Sequence, residues 1–333
     1  MQNTTIEIKR KFILDVLTQM KKEEYRFNFN QLNNDNKEID KDNLSFISLR
    51  KKNLIYYFSI RKKLITIIKD IHNYLNFNKD TFYSSIYYMD ILCNKLIEDS
   101  IENFETFDFK NLAISCIILS SKFTDNDPNI PNIKLYLYDK SKNNNQNVSN
   151  SDIENLKEFE IKCLNKLSYK LNYSNVFSFL KLFYCYGFVF KKDFEFFIDA
   201  NKNKENNKDY NLKEDLFMDK FKTFVDYIYK KCDEIIYTIT LDENLFIEDC
   251  SNFTNNNNYN EYCSFKISCG LIYYCRELFY NKIKEINLLD KNEKENQKDL
   301  YNNKDYEIWG NCLQNLYSIK FFEFEREYEL IKA

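Results

Sequence analysis

The sequence predicts an all-α protein of two tandem helical bundles, and three observations lead there. Only 3 Gly and 2 Pro occur in 333 residues, whereas strand-rich folds draw on glycine for turns with positive φ. Part of that depletion reflects a chain rich in Asn, Lys, Ile, Tyr and Phe, the pattern of an AT-rich coding sequence. Apolar residues recur at helical spacing from Tyr56 onward. An almost uniformly apolar helix with small residues among large ones occurs once in each half, and a duplicated bundle is the economical account of that.

The opening "IEIKRKFILDVLTQM" is short and amphipathic, and a polar stretch, "NQLNNDNKEIDKDN", follows it. Residues 1–55 therefore read as an N-terminal extension. The first regular helix carries Ile60, Leu64, Ile67, Ile68, Ile71 and Leu75 on one face. The break "NFNKD" ends it and offers Asp80 as an N-cap for the next helix. That helix repeats the pattern through Phe82, Ile86, Met89, Cys93 and Leu96, with Asp90 set inside the apolar face. The third helix, about Phe109 to Thr124, is apolar on every side, as expected of the centre of a bundle. Ala113, Ser115, Cys116 and Ser120 would let neighbouring helices approach its backbone. A short helical piece, "NIKLYLY", and a polar loop, "DKSKNNNQNVSN", come next. Ser151 and Glu154 have the spacing of a capping box. The fifth helix would bury Leu156, Phe159, Cys163, Leu164 and Leu167. The first bundle is thus assigned to 56–172.

Residues 173–333 form the second bundle, more loosely patterned and carrying Asn/Lys-rich insertions. It holds the apolar "NVFSFLKLFYCYGFVF", the amphipathic "DLFMDKFKTFVDYIYKKCDEIIYTI" and "SFKISCGLIYYCRELF", in which Ser268, Cys269 and Gly270 mirror the small residues of the third helix. The closing "EIWGNCLQNLYSIKFFEFEREYEL" reads as helical.

Several function classes are disfavoured by composition. A formal net charge of -3 gives no concentrated positive field for nucleic-acid phosphates. The 10 cysteines are scattered through apolar segments, with no Cys-x-x-Cys and only 1 histidine, so a zinc site is not expected and the thiols read as buried and reduced. The N-terminus lacks the apolar core of a signal peptide, and no stretch approaches the ~20 apolar residues that span a bilayer. A soluble intracellular protein without membrane association is expected. One histidine, no glycine-rich phosphate loop and no nucleophile–base pairing argue against an enzyme, and no cofactor or metal is expected.

Four stretches in order resemble the cyclin box of the cyclins, regulatory subunits of cyclin-dependent protein kinases. "IRKKL" (Ile60 to Leu64) is similar to the start of the family's first helix and "DTFYSSIYYMDIL" to its second. "ISCIILSSKFTD" resembles the Ala-Ser-Lys-Tyr-Glu-Glu ending of the third helix, and "EFEIKCLNKLSYKLNYSNVFSFL" the fifth helix and its exit. The match covers about Ile60 to Leu180, and the second half fits a second, divergent box. The first-helix sequence leans toward cell-cycle cyclins of the A, B, D or E kind.

The resemblance implies a non-catalytic protein that activates a protein Ser/Thr kinase in a heterodimer and controls cell-cycle progression from nucleus and cytoplasm. It implies a kinase-facing surface with Lys122 and Glu160 as its charged pair and Leu119, Phe123, Leu164, Tyr169 and Leu171 around them. It also implies an internal Arg61–Asp90 ion pair, and a docking groove at Ile60, Leu64 and Ile67 for substrates carrying Arg-x-Leu. Two departures stand out: Ile91 follows Asp90 where the family has Arg, and Ile67 replaces the first-helix Trp, which leaves a smaller, shallower groove. Lys-Glu-Asn tripeptides at Lys204–Asn206 and Lys294–Asn296 resemble degradation signals read by a ubiquitin ligase, although such abundant Lys and Asn supply roughly half a match by chance and lower their weight. The alternative readings are a transcription-type cyclin or a general transcription factor on the same duplicated box. The latter should carry a zinc ribbon and a basic surface, and the sequence has neither.

Overall fold

The computed structural model describes residues 2–24, 41–99, 103–124, 150–186, 189–202, 214–242, 263–288, 308–309, 313–314 and 319–333, and among these it is helical without strands. It divides into two compact units. The N-terminal unit comprises Glu23–Asn175; the C-terminal unit comprises Met1–Lys22, Val176–Asp242 and Cys263–Ala333. Residues 1–22 thus belong with the second half of the chain rather than forming an extension of their own.

In the N-terminal unit, α2 (Lys41–Leu75) begins well before the regular periodicity at Tyr56. Its buried side runs through Tyr57, Phe58, Arg61, Leu64, Ile65, Ile68 and Ile71, turned by about one residue from the face that Ile60, Ile67 and Leu75 would define; those three are only half-buried. Helix α3 (Lys79–Glu98) is capped by Asn78, whose side chain accepts the Thr81 N–H at 2.8 Å. Asp80, the expected cap, instead lies in the first turn, where its charge favours the positive end of the helix dipole.

Helix α4 (Phe109–Thr124) packs against α2, α3 and α5 (Asn150–Lys166), which explains an apolar surface all round. Its small residues do what the sequence suggests. Ser120 Oγ, buried, donates to the Thr81 carbonyl at 2.9 Å, an approach that a larger side chain would prevent. Helix α5 already contains Asn150, so Ser151 falls inside its first turn and not at the cap. It buries Ile153, Leu156 and Cys163, and Leu167 is buried just past its end. The segment "NIKLYLY", all of "DKSKNNNQNVSN" before Asn150, and both Lys-Glu-Asn tripeptides lie outside the described residues.

The C-terminal unit contains α1 (Gln2–Glu23) up to Lys22, α6 (Val176–Tyr186), α7 (Lys191–Lys202), α8 (Glu214–Leu241), α9 (Ser264–Leu288) and α10 (Glu325–Lys332). Helix α9 is its centre and touches α6, α7, α8 and α10. Ser268 Oγ donates to the Val176 carbonyl at 3.0 Å. At Gly270 a Cβ would stand 2.9 Å from the backbone nitrogen of Tyr328; glycine is what lets α10 lie across α9. Trp309 is fully buried and donates from Nε1 to the Ile319 carbonyl at 3.1 Å, with its ring against Phe324. Lys21 of α1 places its ammonium 3.8 Å from the Phe265 ring centre, a cation–π contact.

Candidate functional site

The strongest candidate is the side of the N-terminal unit where the end of α4 meets the middle of α5. Lys122 stands in the last turn of α4 and Glu160 lies past the middle of α5. Their side chains form an ion pair of 2.5 Å, with the lysine 48% and the carboxylate 14% exposed. The positions follow from packing. Ser121 is buried and Lys122 exposed, so the last turn of α4 emerges from the core at the lysine. On α5, Glu160 lies between buried Leu156 and Cys163 along the helix.

Exposed apolar side chains follow each charge in the sequence. Phe123, next to Lys122, is 52% exposed, and Ile161, next to Glu160, is 56% exposed. Tyr169 stands in the turn after α5 and is 68% exposed. Such residues contribute most to interfaces when charge supplies register and aromatic or aliphatic groups supply area. Leu164 and Leu171 are half-buried, while Leu119 is buried in the core. Ile161 was not singled out by sequence reasoning, because an isoleucine in an amphipathic helix reads as core.

The turn that displays Tyr169 is tightly built. Tyr169 N–H reaches the Leu164 carbonyl at 3.0 Å and Ser168 N–H the Asn165 carbonyl at 2.8 Å, the paired bonds of a Schellman ending. Ser168 and Tyr169 have φ of 56° and 58°, a left-handed conformation that glycine ordinarily fills. Lys95 of α3 donates to the Lys166 carbonyl at 2.8 Å, and Lys166 pairs with Asp99. Tyr88 donates to the Leu171 carbonyl at 2.5 Å, and burial pushes its phenol well up. The Cys163 thiol is pushed up to about 12 by burial and then by the Glu160 charge. Desolvation, then neighbouring Lys95, draws the Lys166 ammonium down.

The internal pair joins α2 to α3. Arg61 Nε and Nη2 donate to the two oxygens of Asp90 at 2.8 and 2.9 Å, and Tyr57 donates to Asp90 Oδ1 at 2.5 Å. Arg61 and Asp90 are 2% and 3% exposed. Burial, then the Asp90 charge, holds the Tyr57 phenol protonated. The C-terminal unit contains a second such triad, which the sequence reading missed. Arg276 of α9 donates to both oxygens of Asp193 at the start of α7, at 2.9 and 3.2 Å, and Tyr280 donates to Asp193 as well. The order along the chain is reversed, carboxylate before guanidinium, so this is not a copy of the first pair in register.

Of the residues expected to line a docking groove, Leu64 is buried, and Ile60 and Ile67 are half-buried. Among the described residues no cluster of His, Cys, Asp and Glu is placed to hold a metal ion, and no helix is long and apolar enough to cross a membrane.

Residues 28–172 match the family model described as cyclin, N-terminal domain, a span that agrees with the N-terminal unit to within a few residues at each end. No curated protein and no solved structure matches the chain.

Proposed function

This chain is a member of the cyclin family through residues 28–172, and from that premise we propose that it is the regulatory subunit of a cyclin-dependent protein kinase and acts in cell-cycle progression. A cyclin domain is in general a non-catalytic, protein-binding module. The narrower reading places the kinase against Lys122, Phe123, Glu160, Ile161, Leu164, Tyr169 and Leu171. The observation that carries it is the α4–α5 ion pair, partly exposed and flanked by exposed Phe123 and Ile161. With its lysine half in solvent, the pair contributes modestly to folding, about 0–1 kcal/mol, and its ammonium stays open to a partner. Once desolvated by a partner, such a charge resists removal by about 2–5 kcal/mol.

In this reading the domain presses on a mobile helix of the kinase and completes its Lys–Glu ion pair. ATP, metal ions and catalytic carboxylates then belong to the kinase, and the chain itself catalyses nothing. Arg-x-Leu docking would rest on Ile60 and Ile67, a small surface. Residence in nucleus and cytoplasm follows from the same proposal.

The test is capture of kinases from the source cell by wild-type chain beside Lys122→Ala, Glu160→Ala and Tyr169→Ala. Wild type should retain an active cyclin-dependent kinase, and each charge variant should weaken capture by roughly 30-fold or more. Equal capture by all four proteins would remove this face from the interface; no capture by wild type would overturn the kinase reading itself.

A further inference from the structure

We propose that Cys232 and Cys275 are a cystine-forming pair, oxidised by a small peroxide to a disulfide that staples α8 to α9 inside the C-terminal unit. The two sulfurs lie 2.7 Å apart, on different helices and 43 residues apart in the chain. Both side chains are fully buried. That separation is tighter than an ordinary non-bonded contact of about 3.5–4.0 Å, and a disulfide of about 2.05 Å lies less than about 0.7 Å away. Helices α8 and α9 already pack on one another, so the bond needs no rearrangement of the fold. Sequence reading treats all these thiols as inert core, since neither neighbourhood has Cys-x-x-Cys spacing. Only the packing of α8 on α9 brings this pair together.

The chemistry balances with hydrogen peroxide as the named oxidant. One thiol, ionised during local opening, attacks a peroxide oxygen; an S–O bond forms, the O–O bond breaks, and the departing hydroxide takes up the thiol's proton as water. The second sulfur displaces the hydroxyl of that sulfenic acid. The S–S bond forms, the S–O bond breaks, and the second thiol proton leaves in a second water. Two thiols are oxidised by two electrons, and one peroxide is reduced to two waters. Burial holds the Cys275 thiol well above its usual range, and only the thiolate attacks, so reaction proceeds at the rate of local opening. Cys185, exposed on α6, reacts sooner and serves as an internal marker that peroxide has acted.

The experiment treats native full-length chain, wild type and Cys185→Ser, with hydrogen peroxide, caps remaining thiols with N-ethylmaleimide and maps peptides without reduction. A peptide pair joined through Cys232 and Cys275 is expected in both proteins, and dithiothreitol should release it. The oxidised wild type should melt roughly 5–10 °C above its reduced form, and Cys275→Ala should show neither the link nor the rise. The proposal is overturned if Cys185 is oxidised while Cys232 and Cys275 both carry N-ethylmaleimide, or if either is found joined to a third cysteine.

Discussion

Removing one partner of the Arg61–Asp90 pair takes the counter-charge from a group only 2–3% exposed. Asp90→Ala should therefore destabilise the N-terminal unit by about 3–5 kcal/mol, read as a lowered urea midpoint. Tyr57→Phe, which leaves the guanidinium and carboxylate paired, should cost only about 1–2 kcal/mol. The double variant Arg61→Met with Asp90→Leu should recover most of the single loss; a double variant as unstable as Asp90→Ala would mean that packing, not stranded charge, is responsible. Lys122→Ala lies at the other extreme. With its ammonium half in solvent, the stability change should stay within about 1 kcal/mol, even though the proposed partner binding falls. Asp90 was legible in the sequence because a carboxylate among Ile86, Met89 and Cys93 has to be paired. Tyr57 was not, since a phenol in an apolar helix looks like core until its hydroxyl is placed. Asp193 also escaped: an acidic residue in the first turn of a helix has an ordinary reason to be there.

Helices placed by unbroken periodicity were read well, and helices placed by tertiary contact were not. The all-apolar sequence of α4 located the centre of its unit, because no amphipathic surface helix has that composition. The face of α2 was misjudged by about one residue, since isoleucines at 60, 65, 67, 68 and 71, together with Leu64, permit two adjacent faces, and the Arg61–Asp90 pairing selects between them. The turn after α5 gives a prediction at this scale. Ser168 occupies the left-handed position of a Schellman ending, so Ser168→Gly should relieve more strain than it adds unfolded-chain freedom, a gain of about 0.5–1 kcal/mol in denaturant unfolding. A loss would indicate that the serine side chain holds the turn. At Gly270 the opposite holds. The added methyl of Gly270→Ala meets the Tyr328 backbone, and a backbone cannot rotate aside as a side chain can. The C-terminal unit should lose about 1–3 kcal/mol, measured as a lower melting temperature, and α10 should become the first segment to exchange its amide hydrogens.

For the molecule as a whole, buried thiols and phenols in both units set the response to alkali. In the N-terminal unit burial raises Cys93, Cys116, Tyr57 and Tyr88, and Cys163 reaches about 12; in the C-terminal unit it raises Cys269, Cys275 and Tyr184. In every case the folded chain binds its proton more tightly than the unfolded chain. The stability this contributes is complete below the unfolded thiol value of about 8.5 and is lost as pH rises through the folded values, because unfolding then releases protons. The denaturant midpoint should accordingly be flat from pH 7 to about 8.5 and fall steadily from about pH 9 toward 12, with the Cys163→Ala and Cys116→Ala variants falling less steeply than wild type even if their starting midpoints are lower. A midpoint that held to pH 11 would mean that these groups ionise as easily inside as outside, which contradicts their burial. The slope separates two roles that the sequence alone leaves merged. A thiol that only packs adds to this alkaline loss, whereas Cys275, once joined to Cys232, has no proton left to lose and drops out of it. Oxidised and reduced protein should therefore diverge above pH 9 in the C-terminal unit and coincide in the N-terminal one.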